Sequence, residues 1–89
     1  MATRELVITN KRGLHARASS KFVHLVESFQ ATVTVAKDGL TVFGNSIMGL
    51  MLLAAAQGSS IAVTAEGPDA DAALDAIADL LSDKFGEGE

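Results

Sequence analysis

Cysteine is absent from the chain, so disulfides, thiolate zinc sites, iron-sulfur ligation and cysteine nucleophiles are excluded together. Any chemistry must use oxygen or imidazole. Tryptophan and tyrosine are absent too, leaving four Phe, and acidic residues outnumber basic ones 11 to 7. Nucleic-acid binding usually needs a broad basic surface and a stacking platform, and this chain has neither. The longest apolar run, Ile47 to Ala56, is interrupted by Gly49 and has about half the length of a bilayer span. The N-terminus, Met1-Ala2-Thr3-Arg4-Glu5, lacks the charged segment and apolar run of a secretory signal, so a cytoplasmic location without membrane attachment is expected. With only two His in the chain, a metal site lacks ligands, and neither metal nor cofactor is expected.

A hydrophobic content of 48% supplies one core, and 89 residues are too few for two. One domain over residues 1–89 is therefore expected, with a frayed tail at 86–89. Charge is unevenly placed. Five of the seven bases (Arg4, Lys11, Arg12, Arg17 and Lys21) lie in the first 24 positions, and eight of the eleven acids lie from Glu66 onward.

Leu6 to Thr9 reads as a strand ending at the polar Asn10-Lys11-Arg12-Gly13. Ala18, Phe22, Leu25, Val26 and Phe29 recur at helical spacing and predict a helix from about Ala16 to Ser28. Val33 and Val35 alternate with Thr32 and Thr34, and Lys37-Asp38-Gly39 separates them from Leu40 to Phe43, the pattern of a hairpin turning at Asp-Gly. Ser46 offers an N-cap to a short helix, Ile47 to Leu53, that ends near Gln57-Gly58. Ile61, Val63 and Ala65 mark a last strand. Ala70, Ala73, Leu74, Ile77, Leu80 and Leu81 stripe a final helix from Asp69 to Phe85, closed by Gly86. The order βαββαβα predicts an α+β fold, an open-faced two-layer sandwich with a four-stranded antiparallel sheet covered on one face by three helices.

The informative stretch is Gly13-Leu14-His15-Ala16-Arg17, in which a loop glycine delivers an imidazole to the start of a helix beside a guanidinium. Free backbone N–H groups and the helix dipole make such a place attractive to an anion. The same positive field discourages imidazolium formation, keeping the ring nucleophilic. After phosphoryl transfer it meets the new negative charge with donors. The plainer reading is a His that caps the helix or lies idle on the surface.

Asn10-Lys11-Arg12-Gly13-Leu14-His15-Ala16-Arg17-Ala18 resembles the active-site signature of HPr, the histidine phosphocarrier family of the bacterial phosphotransferase system, and the likeness extends over nearly the whole chain. The resemblance implies the same βαββαβα sandwich. It makes His15 the phosphoryl acceptor through Nδ1 and Arg17 the residue that assists at the phosphate. It also implies phosphorylated enzyme I as donor, an enzyme II A-type protein as acceptor, and a stoichiometric carrier in place of an enzyme. Many family members have proline where this chain has Ala18, and a small hydroxyl residue where it has Arg12. These departures tilt the reading toward the nitrogen-related regulatory branch over sugar uptake.

Ser46 resembles the regulatory serine of HPr proteins acted on by HPr kinase/phosphorylase, although capping alone explains a serine there. Ile47, Met48 and Met51 are expected to face a partner, with Leu50 and Leu53 in the core; flexible Met side chains suit a surface that serves several proteins. Leu14, Arg12, Lys21 and His24 complete the expected contact set. A second phosphorylation at His24 is not expected, because a mid-helix site has no free N–H groups. Two other functions compete: a regulatory docking protein that works through Ser46 and the 47–51 helix without phosphotransfer, and a small-ligand sensing domain.

Overall fold

Burial alternates along β-strands of the sheet, since side chains on a strand point to opposite faces in turn. In the computed structural model, which describes residues 1–87, the elements are β1 (Ala2–Val7), α1 (Ala16–Glu27), β2 (Thr32–Lys37), β3 (Leu40–Phe43), α2 (Ile47–Leu52), β4 (Ser60–Glu66) and α3 (Ala70–Ser82). A short 3-10 turn, Lys84–Gly86, follows α3. The four strands form one antiparallel sheet in the order β1-β4-β2-β3. Val33, Val35, Ile61, Val63 and Ala65 turn inward to the helices. Thr3 and Thr64 face solvent on the opposite side, with their hydroxyls 3.0 Å apart. This is the open-faced sandwich expected from the element order.

The β2–β3 hairpin turns at Asp38 (φ 51°) and Gly39 (φ 84°). Positive φ at both central residues is what a two-residue turn needs to match strand twist, and Asp-Gly tolerates it. Helix α1 buries Ala18, Phe22, Val23 and Val26 against the sheet and packs on α2 and α3. Phe22 and Phe85 are both fully buried, and truncating either to Ala would cost about 3–5 kcal/mol.

Three boundaries differ from the sequence reading. β1 begins at Ala2, not Leu6: Arg4 and Thr3 look like loop residues, but pairing of Ala2 with Ala65 through Val7 with Ser60 gives this edge strand its ladder. Helix α2 stops at Leu52, because Ala54 takes a left-handed φ of 51° well before Gln57. Helix α3 ends at Ser82, and Lys84 and Phe85 adopt φ of 54°, turning the chain so that Phe85 enters the core. In the segment expected to fray, Gly86 N donates to Asp83 O at 2.9 Å and Glu87 N to Lys84 O at 3.0 Å, while residues 88–89 lie outside those described.

Candidate functional site

Between β1 and α1 the chain makes a tight turn in which Gly13 N donates to Asn10 O at 3.2 Å. The turn is stapled to the segment after α2, with Leu14 N donating to Ala55 O at 3.0 Å. Gly13 has φ of +65°, and a Cβ there would lie 2.3 Å from Ala55 O, so both its backbone angle and its surroundings demand glycine. Asn10, fully buried, donates from Nδ2 to Gly13 O at 2.9 Å and fixes the turn from inside. Among the described residues its Oδ1 has no hydrogen-bond partner.

This loop sets His15 at the N-cap of α1 in an extended conformation (φ −75°, ψ −179°), and its carbonyl accepts the first helical bond from Ser19 N at 2.9 Å. The imidazole makes no capping bond to the first-turn amides. Those amides therefore have no intrahelical acceptor. The side chain is 19% exposed, at the surface and not under the core.

The ring's partner lies 72 residues further along the chain. His15 Nε2 pairs with Glu87 Oε2, and Asn10 Nδ2 donates to Glu87 Oε1 at 2.9 Å. The Glu87 carboxyl is held below its ordinary value first by the Asn10 hydrogen bond. The bond and field of His15 and the Lys21 ammonium add to this, against an upward push from burial. Three things place Glu87: the buried Phe85 side chain, a 2.6 Å bond from Lys21 Nζ to Phe85 O, and Glu87 N donating to Lys84 O at 3.0 Å. Arg12, Arg17 and Lys21 line an open depression together with Gly86 and Glu87, so three cations gather around the carboxylate that pairs with the imidazole.

The other predicted residues fall in separate places. Leu14 is only 5% exposed and belongs to the core, so it supports the loop and offers a partner almost no surface. His24 is exposed on α1. Ser46 caps α2, its Oγ accepting from Gly49 N at 3.0 Å. Ile47, Met48 and Met51 are exposed, while Leu50 and Leu53 are buried. Leu52, missed in the sequence, adds 69% exposed apolar surface to the same helix. Asn10, Phe85 and Glu87 were also missed. The one available signal was the spacing Ile77, Leu81, Phe85, which continues the buried stripe to the position that anchors Glu87.

A family profile described as "PTS HPr component phosphorylation site" matches residues 2–83. The chain belongs to the HPr family. It is 47% identical over 89 residues, all of both chains, to the phosphocarrier protein HPr of Neisseria meningitidis serogroup A. It is 42% identical over 84 residues to the phosphocarrier protein NPr of Shewanella violacea, covering 94% of this chain and 92% of that one. Among solved structures, an HPr from Thermoanaerobacter tengcongensis superposes with a TM-score of 0.93 at 41% identity, covering 98% of each chain. As an HPr family member it is a phosphocarrier component of the phosphotransferase system. Among the described residues, no helix is long and apolar enough to cross a membrane and no group of three or more His, Asp or Glu is placed to hold a metal ion.

Proposed function

We propose that His15 takes a phosphoryl group on Nδ1 from phosphorylated enzyme I and passes it to an enzyme II A-type protein, working in the cytoplasm as a stoichiometric relay and not as an enzyme. One observation carries this reading: a surface imidazole stands at a helix N-terminus without a capping bond, paired with a carboxylate that shares an open depression with Arg12, Arg17 and Lys21. The Nδ1 electron pair attacks phosphorus in line with the departing donor atom, and the transferred group brings about −1.5 to −2 charge if it resembles other phosphorylated side chains. Arg17 and the first-turn amides supply donors for its oxygens, an arrangement suited to charge that appears only on transfer.

The apolar patch of Ile47, Met48, Met51 and Leu52 lies a few residues before Ala55, whose carbonyl holds Leu14, so patch and ring belong to one end of the molecule. That patch is the docking surface for donor and acceptor in turn, with Arg12, Lys21 and His24 beside it as polar contacts. HPr kinase/phosphorylase is a further partner in this reading. A phosphate on Ser46 would meet the amide of Gly49 that the hydroxyl now satisfies.

Incubation with phosphoenolpyruvate and enzyme I tests the relay. The expected product is one acid-labile, base-stable phosphate per chain, absent in His15→Ala. A folded wild-type protein that takes no label would leave the docking role through Ser46 in its place. Offering labelled protein to sugar-transporting and nitrogen-related A-type proteins distinguishes the two branches, and preference for a sugar-transporting acceptor would end the regulatory assignment drawn from Ala18 and Arg12.

A further inference from the structure

The Glu87 carboxylate spans two donors. One oxygen meets the imidazole Nε2 and the other meets the buried Asn10 amide, which also holds the Gly13 carbonyl at 2.9 Å. A single buried side chain thus fixes both the loop that carries the ring and the anion that faces it. An ionised carboxylate only accepts hydrogen bonds, so the nitrogen facing it must be the protonated one. In the neutral ring the lone pair then resides on Nδ1, and among the described residues no hydrogen bond reaches that atom.

From this geometry we infer that Glu87 is a positioning residue for phosphoryl acceptance: oriented by Asn10, it holds the Nε2–H tautomer of His15 and presents Nδ1 as the nucleophile. The inference rests on the relay reading above. It also gives Glu87 a second task. When the Nδ1 electron pair forms the N–P bond, the bond from phosphorus to the donor atom breaks and its electron pair stays with the donor. The Nε2 proton remains on the ring, which becomes positively charged. The carboxylate already in contact with that proton offsets the charge, as the buried carboxylate of a serine-protease triad does for its imidazolium. On return of the phosphoryl group to an acceptor the ring relaxes to the same tautomer, ready for another cycle.

Glu87→Gln tests the inference, because the amide has one acceptor oxygen for two donors, and either Asn10 Nδ2 or His15 Nε2 loses its partner. Two measurements are made on the full chain. Nitrogen-15 NMR of the His15 ring reports which nitrogen carries the proton: the wild type should be nearly all Nε2–H when neutral, and the variant should gain Nδ1–H tautomer. Single-turnover transfer from phosphorylated enzyme I should slow about tenfold in the variant, the scale of one charge-assisted hydrogen bond at a partly exposed site. Asp79→Asn, an exposed carboxylate on α3, serves as the control and should change neither. An unchanged tautomer ratio, or an unchanged or faster transfer rate in Glu87→Gln, overturns the positioning role. A wild type that accepts no phosphoryl group at His15 overturns the relay itself, so the two failures are told apart.

Discussion

Replacing Gly13 with Ala is expected to damage both stability and transfer, for separable reasons. At φ of +65°, an L side chain costs about 1–2 kcal/mol in backbone strain. The new Cβ would lie 2.3 Å from Ala55 O, where contacts under 3.0 Å are essentially never tolerated. The neighbour is backbone and cannot rotate away, so the Leu14 N to Ala55 O bond must open, and losing this buried pairing adds about 1–3 kcal/mol. The expected total is about 2–5 kcal/mol, a large share of the roughly 5–15 kcal/mol that holds a small domain together. Gly39→Ala supplies the comparison, since Gly39 also has positive φ (+84°) but nothing within 4 Å of its added Cβ. It should show the strain alone, about 1–2 kcal/mol. Urea unfolding of the two variants gives the difference as the cost of the clash. His15 lies two positions beyond Gly13, so the loop shift should also misplace the ring, and an error near 1 Å can slow a positioned reaction about 100-fold. Enzyme I-dependent labelling at a temperature where both variants are folded measures that part. If Gly13→Ala is no less stable than Gly39→Ala, or is labelled at the wild-type rate, the account of this loop is wrong.

Ser46→Ala should lose about 1 kcal/mol through the missing α2 cap while His15 remains labelled at its normal rate, as urea unfolding and the labelling assay will report. Leu52→Glu places a charge on the exposed patch: stability should move by about 0.5 kcal/mol or less, but the second-order rate of transfer from enzyme I should drop about tenfold. Because Asn10, with His15 and Lys21, holds the Glu87 carboxyl below its ordinary value of 4.5, folding favours its ionised form. The resulting stability is present above that value and fades as pH falls through the lower, folded-state value. Urea midpoints of wild type and Glu87→Gln measured across this acid range should therefore converge as pH falls, and parallel curves would refute the linkage.

The sheet-and-helix plan was legible because Val33, Val35, Ile61 and Val63 alternate cleanly and Phe22, Val26 and their neighbours repeat every three or four residues. Alternation failed to reveal the start of β1, where the inward positions include Arg4, which is only partly buried and pairs with Asp75 of α3 at 2.9 Å. Half of the candidate site lies close in sequence: Arg12, His15, Arg17 and Lys21 fall within one loop and one helix, and each is joined to Glu87 by a shared depression or a hydrogen bond. Glu87 was not legible. It stands 72 residues from His15 in a Gly-Glu-Gly-Glu stretch with no periodicity, and its position follows from the burial of Phe85 and from hydrogen bonds that no local pattern encodes.

The bond between His15 and Glu87 also bears on the order of events during synthesis. Helix α1 and the loop before it are made first, and the carboxylate that faces the imidazole is added 72 residues after that ring. A nascent chain of this kind thus carries its ring before the partner carboxylate exists, and the pair can form only once the Lys84–Gly86 turn has been made and its Phe85 carbonyl has met Lys21.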